Sequence, residues 1–481
     1  MLHPIRKAAA LSLLLALMAL FPTTALAAEA VPVGWPGTHL LTALLGLLAP
    51  LALILLAVGA TPPDEAGETV ATALGALVVG VVAYVACGFA FEFGGLALRV
   101  PWPGLAGLVA EWSPLDPSLG LGWGAVGLRG FFLAGAAGTP DAYALAAVQL
   151  PAVAVTVLIP TLALARRVGR GVLLGVALAV GGLLYPLVGN WTWGGGWLAL
   201  LGANAGLGHG FVDLGGSATL HVLGASAALA GILIFGRKGW AERGSGPATL
   251  PPAHFPMYML TGALLAPLGW LGLTLANPLA TPDVPGGLVA VNLVLAALGG
   301  AAPALFYSWL ATGHVDALLA ARGLVAGLVA ASASCGFMPP WMALAAGLVA
   351  GLLLPLVLYS VDHVLRWHDP NAILATHGLP GIIGALWLAL AADGRYGAGW
   401  NGVSAVPLLG QQGVAGLVVA AGCASDIPGQ LYAQLAGLGS ILALAFVVPM
   451  LVFGLSVGVR WLAGLLARLG RKAPATPAEQ G

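Results

Sequence analysis

Residues 211–231 read FVDLGGSATLHVLGASAALAG, and residues 369–378 read DPNAILATHG. Asp213 stands eight positions before His221, and Asp369 stands eight positions before His377. Each pair opens a long apolar run. An aspartate there caps free N–H groups and complements the positive end of the helix dipole. Each histidine then falls about two turns inside, at membrane depth. Ionisable side chains inside apolar spans are costly, so each is a functional candidate. Two facing neutral imidazoles, each with one donor and one acceptor, would share a proton and line a narrow apolar path. Such a pair would bind a small polar molecule or relay a proton from it. Two other readings stay open: core histidines bonded to backbone carbonyls, and a metal site, for which no cysteine or carboxylate lies at ligand spacing.

The composition sets the solvent of this chain. Of 481 residues, 60% are hydrophobic and 7% charged, and the mean hydropathy is +0.99. Soluble domains carry about 25% charged residues, so lipid surrounds most of this chain. The 17 basic and 17 acidic residues cancel, which removes the basic patch that nucleic-acid binding needs. Cys87, Cys335 and Cys423 are too scattered for a zinc or disulfide framework.

Runs of about 20 apolar residues cross a bilayer. Eleven are read here, near 38–60, 71–97, 140–165, 171–189, 214–236, 256–277, 286–309, 318–336, 340–363, 374–392 and 434–466. Their glycine and alanine content, as in Ala345-Ala346-Gly347-Leu348-Val349-Ala350-Gly351, predicts closely packed helices. The Asp–His pairs open the fifth and tenth runs, which alternate in direction. That is the pattern of an inverted repeat of five plus five spans meeting at a midplane site, with the eleventh span outside it. The fold class expected is therefore an all-α membrane protein of eleven transmembrane helices.

The ends follow from charge. Arg6 and Lys7, the apolar stretch 10–21 and the Ala25-Leu26-Ala27 site predict a signal peptide over 1–27, leaving a transmembrane domain over 28–472 and a short tail over 473–481. With the mature N-terminus outside, the inner segments collect Arg166, Arg167, Arg170, Arg237, Lys238, Arg243, Arg322, Arg366, Arg460, Arg468, Arg471 and Lys472. Only Arg99, Arg129 and Arg395 fall outside. This positive-inside bias sets the N-terminus outside and the C-terminus inside. Trp191, Trp193 and Trp197 read as an interfacial belt. Glu92, near the outer end of the second run, reads as a carboxylate reaching water, or as a cation contact or proton acceptor at the outer vestibule. The segments 99–139 and 393–433, rich in glycine and proline, are expected to form outer loops.

The segment 211–231 resembles the fifth-span signature of the Amt/Mep/Rh ammonium transporters, and 369–378 resembles their tenth-span histidine motif. Trp193-Gly-Gly-Gly-Trp197, Pro252-Ala-His254, Gly269-Trp270-Leu-Gly272 and the stretch from Gly323 to Gly336 are similar to further family segments, in order, from about 140 to 392. The resemblance implies a homotrimer in the plasma (inner) membrane, each protomer carrying its own pore for ammonium or ammonia, with no cofactor and no metal. It implies that Asp213 stands near the external ammonium site, that His221 and His377 are the twin pore histidines, and that Trp193 and Trp270 flank the path. Ala152 and Leu273 then stand where the family usually has two gating phenylalanines, and Thr274 where it usually has asparagine. The tail lacks the family's usual acidic stretch, which argues against a cytosolic regulatory protein. Two other functions are kept: an ammonium-binding sensor on the same scaffold, and a channel for another small amine or gas. No nucleophile–base set suggests an enzyme.

Overall fold

Prolines open four of the long helices. Pro63, Pro140, Pro256 and Pro340 each sit in the first turn, where a missing N–H costs nothing and φ is already helical. Side chains cap one of these four and one other helix in the bonding sense. Thr139 accepts from Ala142 N at 3.2 Å and Asp316 from Leu319 N at 2.8 Å. The computed structural model describes residues 37–100, 102–119, 122–165, 167–235, 253–277, 283–367, 369–403 and 412–469. The expected signal peptide and tail lie outside them.

Among the described residues, 10 helices are long and apolar enough to cross a membrane. They are α1 (His39–Ala60), α2 (Pro63–Leu98), α3 (Pro140–Leu164), α4 (Arg170–Thr192), α5 (Ser217–Phe235), α6 (Pro256–Leu275), α7 (Gly286–Thr312), α9 (Pro340–Val364), α10 (Leu374–Ala391) and α11 (Gly429–Leu469). A shorter apolar helix, α8 (Ala317–Ala331), lies between α7 and α9. The protein is thus a helical, multi-pass membrane protein. α3 lies at the centre, with 83% of its apolar window buried, whereas α11 lies at the periphery with 22%.

Close approach explains the glycine content. Ala296 and Gly300 on α7, Gly323 and Gly327 on α8, and Gly347 and Gly351 on α9 are each spaced by four, so each pair shares a helix face. The three faces meet backbone to backbone. A Cβ on Gly300 would lie 2.9 Å from Gly327 N and would also strike the backbone of Gly323. Without a hydrophobic drive between helices in lipid, such contact is the main source of association.

Several boundaries differ from expectation. α2 starts at Pro63, because Asp64 and Glu65 suit the first turn of a helix. α8 stops at Ala331, and residues 332–337 form turns. α5 starts at Ser217, after the left-handed Gly216 at φ 80°, so His221 lies about one turn inside and not two. α11 runs for 41 residues. The long connections are built into the fold: Glu111–Trp112 (β1) pairs antiparallel with Val126–Gly127 (β2), Arg99 meets Glu111 at 2.6 Å, and Asp393 bridges Ala415.

Candidate functional site

The two Asp–His motifs fold alike. Asp213 Oδ2 accepts from Ala218 N at 2.9 Å, Thr219 N at 2.8 Å and Thr219 Oγ1 at 2.8 Å. Asp369 Oδ2 accepts from Leu374 N at 2.7 Å. In both, the carboxylate closes on the N–H five residues ahead. Both histidines lie in π-helical turns, Ser217–Val222 and Leu374–Gly378. Such turns widen the helix and often mark functional sites.

The two motifs bring their histidines into direct contact. His221 Nδ1 and His377 Nδ1 are 3.1 Å apart, with ring centroids 5.0 Å apart and planes 17° apart. Both side chains are 1% exposed, so water does not compete for the bond. An Nδ1–Nδ1 hydrogen bond requires one ring to donate and the other to accept. A neutral imidazole has one of each, so one ring presents an acceptor at Nε2 and the other presents N–H. Gain of a proton at the donor ring's Nε2, transfer of the shared proton across the Nδ1–Nδ1 bond and loss of the other ring's Nε2 proton together reverse those roles. Trp270 stacks on the other face of His221, 5.5 Å away and 4° from parallel.

Among the described residues, four buried polar atoms near this pair have no hydrogen-bond partner: His221 Nε2, Trp270 Nε1, Thr274 Oγ1 and Asp213 Oδ1. Trp270 and Thr274 are four residues apart on α6 and so share a face. A Cβ on Gly215, two residues after Asp213, would lie 2.7 Å from Thr274 Oγ1. Trp270 stacks on His221 and Thr274 lies beside the Asp213 loop, so this face of α6 makes a row from that loop to the histidines. Buried polar groups are nearly always paired, so such a row points to a guest that can hydrogen-bond.

The other expected residues are placed as follows. Trp193 is 3% exposed, and its Nε1 donates to Asp213 O at 3.0 Å. It is thus a buried support of the Asp213 loop and not an interfacial anchor. Leu273 and Ala152 are both buried. The position of a Cβ on Gly46 lies 3.1 Å from both Leu273 N and Pro151 Cγ, so these two stretches converge around α1. Glu92 does not reach water. It is 0% exposed, and Tyr84 Oη donates to its Oε2 at 2.7 Å. The reason is that α2 continues past Glu92, while Asn190 of α4 donates to Glu92 O at 2.9 Å.

The sequence reading missed a clamp. Gln430 and Gln434, one turn apart on α11, hold the loop that carries Asp213. Gln430 Oε1 accepts from His209 N and Gln434 Oε1 from Val212 N, both at 2.9 Å. Gln434 Nε2 donates to Val212 O at 3.0 Å and Ala385 O at 2.8 Å. Two buried glutamines at i and i+4 in an apolar helix were the available signal.

Charge separates the two ends. Burial pushes the Asp213 carboxyl up, against its three Thr219 and Ala218 donors. Asp369 is pushed up to about 6, chiefly by burial, while the Leu374 and Ile373 N–H groups and Arg322 pull it down. Arg167 and Arg322 lie close to Asp369: Arg322 Nη2 donates to Pro370 O at 2.7 Å, and Arg167 donates to Trp367 O.

The sequence profile of the Ammonium Transporter Family matches residues 38–461. This chain belongs to that family. Among its relatives, the ammonium transporter Amt2 of Archaeoglobus fulgidus is 30% identical over 322 residues, covering 66% of this chain and 63% of its own length. The ammonium transporter Amt1 of Haloferax mediterranei is 32% identical over 46% of this chain and 45% of its own length. The chain therefore spans less than two thirds of these relatives. Two solved structures share the fold of this family member. One, named Sensor Amt Protein, has a TM-score of 0.67 at 22% identity, covering 86% of this chain and 91% of its own. The other, Candida albicans Mep2, has a TM-score of 0.66 at 21% identity, covering 86% and 82%.

Proposed function

We propose that this chain carries ammonium or ammonia across the plasma membrane through a path inside each protomer, with His221 and His377 as its twin histidines. The single observation that carries the reading is the row of unpartnered buried polar atoms leading from Asp213 to a histidine pair 3.1 Å apart. The full reading comprises eleven spans, counting α8 with the ten long helices, arranged as an inverted five-plus-five repeat. The N-terminus is outside after removal of 1–27, the C-terminus is inside, and the assembly is a homotrimer.

The mechanism follows from desolvation. An ammonium ion gives up hydration on entering a buried path, which costs several kcal/mol unless it is paired. Asp213 supplies negative charge at the entry, with Oδ2 tied to backbone and Oδ1 left to act. Trp193 fixes the backbone of that aspartate. Deeper in, no carboxylate accompanies the ion, and desolvation favours the neutral amine. Ammonia both donates and accepts, and the histidine pair offers one acceptor and one donor at its Nε2 atoms. A proton released at the entry has the Nδ1–Nδ1 contact as a relay, because passing it along only exchanges the two tautomers.

The test is ammonia flux and ammonium-evoked current in proteoliposomes, for the parent, His221→Ala and His377→Ala. Loss of most flux in each variant is expected. Unchanged flux in both would remove the pair from the path. A second reading, an ammonium-binding sensor, is supported by the aliphatic Ala152 and Leu273 at the positions where family members usually have aromatic rings. A folded parent that binds ammonium without carrying it would establish that reading instead.

A further inference from the structure

A cavity of about 440 Å³, open end included, adjoins His377 on the side away from Asp213. Its wall is mostly aliphatic, from Leu53, Leu56, Leu162, Leu318 and Ile373. One charged side chain is in that wall: Arg322. The positive-inside pattern places Arg322 among the inner charges, at the start of the eighth run. In the fold it lies in the second turn of α8 and is 7% exposed. Ten residues further along, Ser332 O accepts from Gly215 N at 2.9 Å, beside Asp213. Ten helical residues span about 15 Å, so Arg322 stands about that far along the helix from the Asp213 loop.

Four other charged groups lie near Arg322, and Asp369, Asp362 and Asp316 act on it electrostatically; each holds a backbone bond of its own. Asp316 caps Leu319 N, Asp362 accepts from Asp369 N at 2.9 Å, Asp369 caps Leu374 N, and Arg167 is bonded to Trp367 O. None of these four lines the cavity. The guanidinium keeps its charge at every physiological pH, and the Pro370 carbonyl takes only one of its five donors. A fixed charge in an aliphatic, water-poor wall acts strongly on any ion entering it.

We infer that Arg322 is a charge filter at the Asp369 mouth: it excludes amine cations from the cavity beside His377, so that the amine that passes there is uncharged. This rests on the reading of the path as a conduit for ammonia. It adds that cation rejection at this mouth is built from a fixed positive charge, and not from the apolar wall alone.

The test measures the field of the cavity separately from transport. Ala60 lines the cavity and is half-buried. In the purified full-length chain carrying Ala60→Cys, modification of that site by an anionic sulfonate methanethiosulfonate and by a cationic trimethylammonium one is timed. Peptide mass distinguishes it from Cys87, Cys335 and Cys423. The anionic reagent is expected to react about tenfold faster than the cationic one, as a focused field allows. Arg322→Gln keeps a donor for Pro370 O but removes the charge, and should abolish the preference; Arg322→Lys should keep it. In proteoliposomes, Arg322→Gln should raise the charge carried per ammonia. An unchanged reagent preference in Arg322→Gln overturns the inference. A parent that carries no ammonia overturns the transport reading, while the labelling ratio still decides the role of Arg322.

Discussion

The Asp213–His221 and Asp369–His377 motifs share spacing, a carboxylate cap on the fifth residue ahead and a π-helical turn around the histidine. Their surroundings differ. The Asp213 carboxylate takes neutral donors from Ala218 and Thr219, Trp193 donates to its backbone O, and the α11 glutamines hold the neighbouring Val212. Asp369 sits beside Asp362 and two arginines. The same local device thus serves a mouth with a lone carboxylate at one end and a mouth with a fixed cation at the other. The difference teaches that the two histidine turns are the symmetric part of the site, and that on the proposed transport reading charge selection would belong to what packs around the caps.

Breaking the caps separately tests this. Asp213→Ala strands three donors, and at about 1 kcal/mol each the loss is about 3 kcal/mol. Asp369→Ala strands the Leu374 N–H bond and should cost about 1 kcal/mol on that account. Chemical unfolding in detergent compares the two, and equal losses would mean that the hydrogen-bond difference is not what distinguishes the motifs.

The pH dependence sharpens the charged side. The ordinary value for the Asp369 carboxyl is 3.8 and its folded value is about 6. The folded state therefore holds this proton more tightly than the unfolded chain. The contribution favours folding most below pH ~4, is lost as pH rises to about 6, and is level above that; over the window it amounts to at most ~3 kcal/mol. Asp369→Asn has no proton to lose. Its stability relative to the parent should rise between pH 4 and 6, and a constant difference across that range would show that Asp369 does not titrate there.

A further effect concerns the neutral side. Gln434→Leu removes the clamp from the Asp213 loop and leaves Val212 and Ala385 backbone groups without their side-chain partner. About 2 kcal/mol is expected, together with faster hydrogen exchange at Val212 and no change at Leu374. Equal changes at both amides would mean that α11 supports the bundle as a whole and not one mouth.

Much of this was legible in the sequence. Long apolar runs have little choice but to become helices, because lipid cannot satisfy a backbone N–H or C=O. The facing histidines were legible because two matched Asp–His spacings in opposed spans leave few other arrangements. The burial of Glu92, the glutamine clamp and the cavity face of Arg322 were not. A span that is apolar all round carries no periodic signal of which side meets which neighbour. The start of α5 was misplaced for a related reason: Leu214, Gly215 and Gly216 look like span residues, and only the left-handed Gly216 shows where the helix begins.

The glycine faces of α7, α8 and α9 carry one more consequence. Side chains between helices act as springs, since they can change rotamer and absorb displacement. Where Gly300 meets Gly323 and Gly327 there are none, and close-packed interiors of this kind have low compressibility. Arg322 is the residue before Gly323. The wall that carries its charge is therefore braced by backbone contacts with no side chain to yield, and a filter built there would select by standing still.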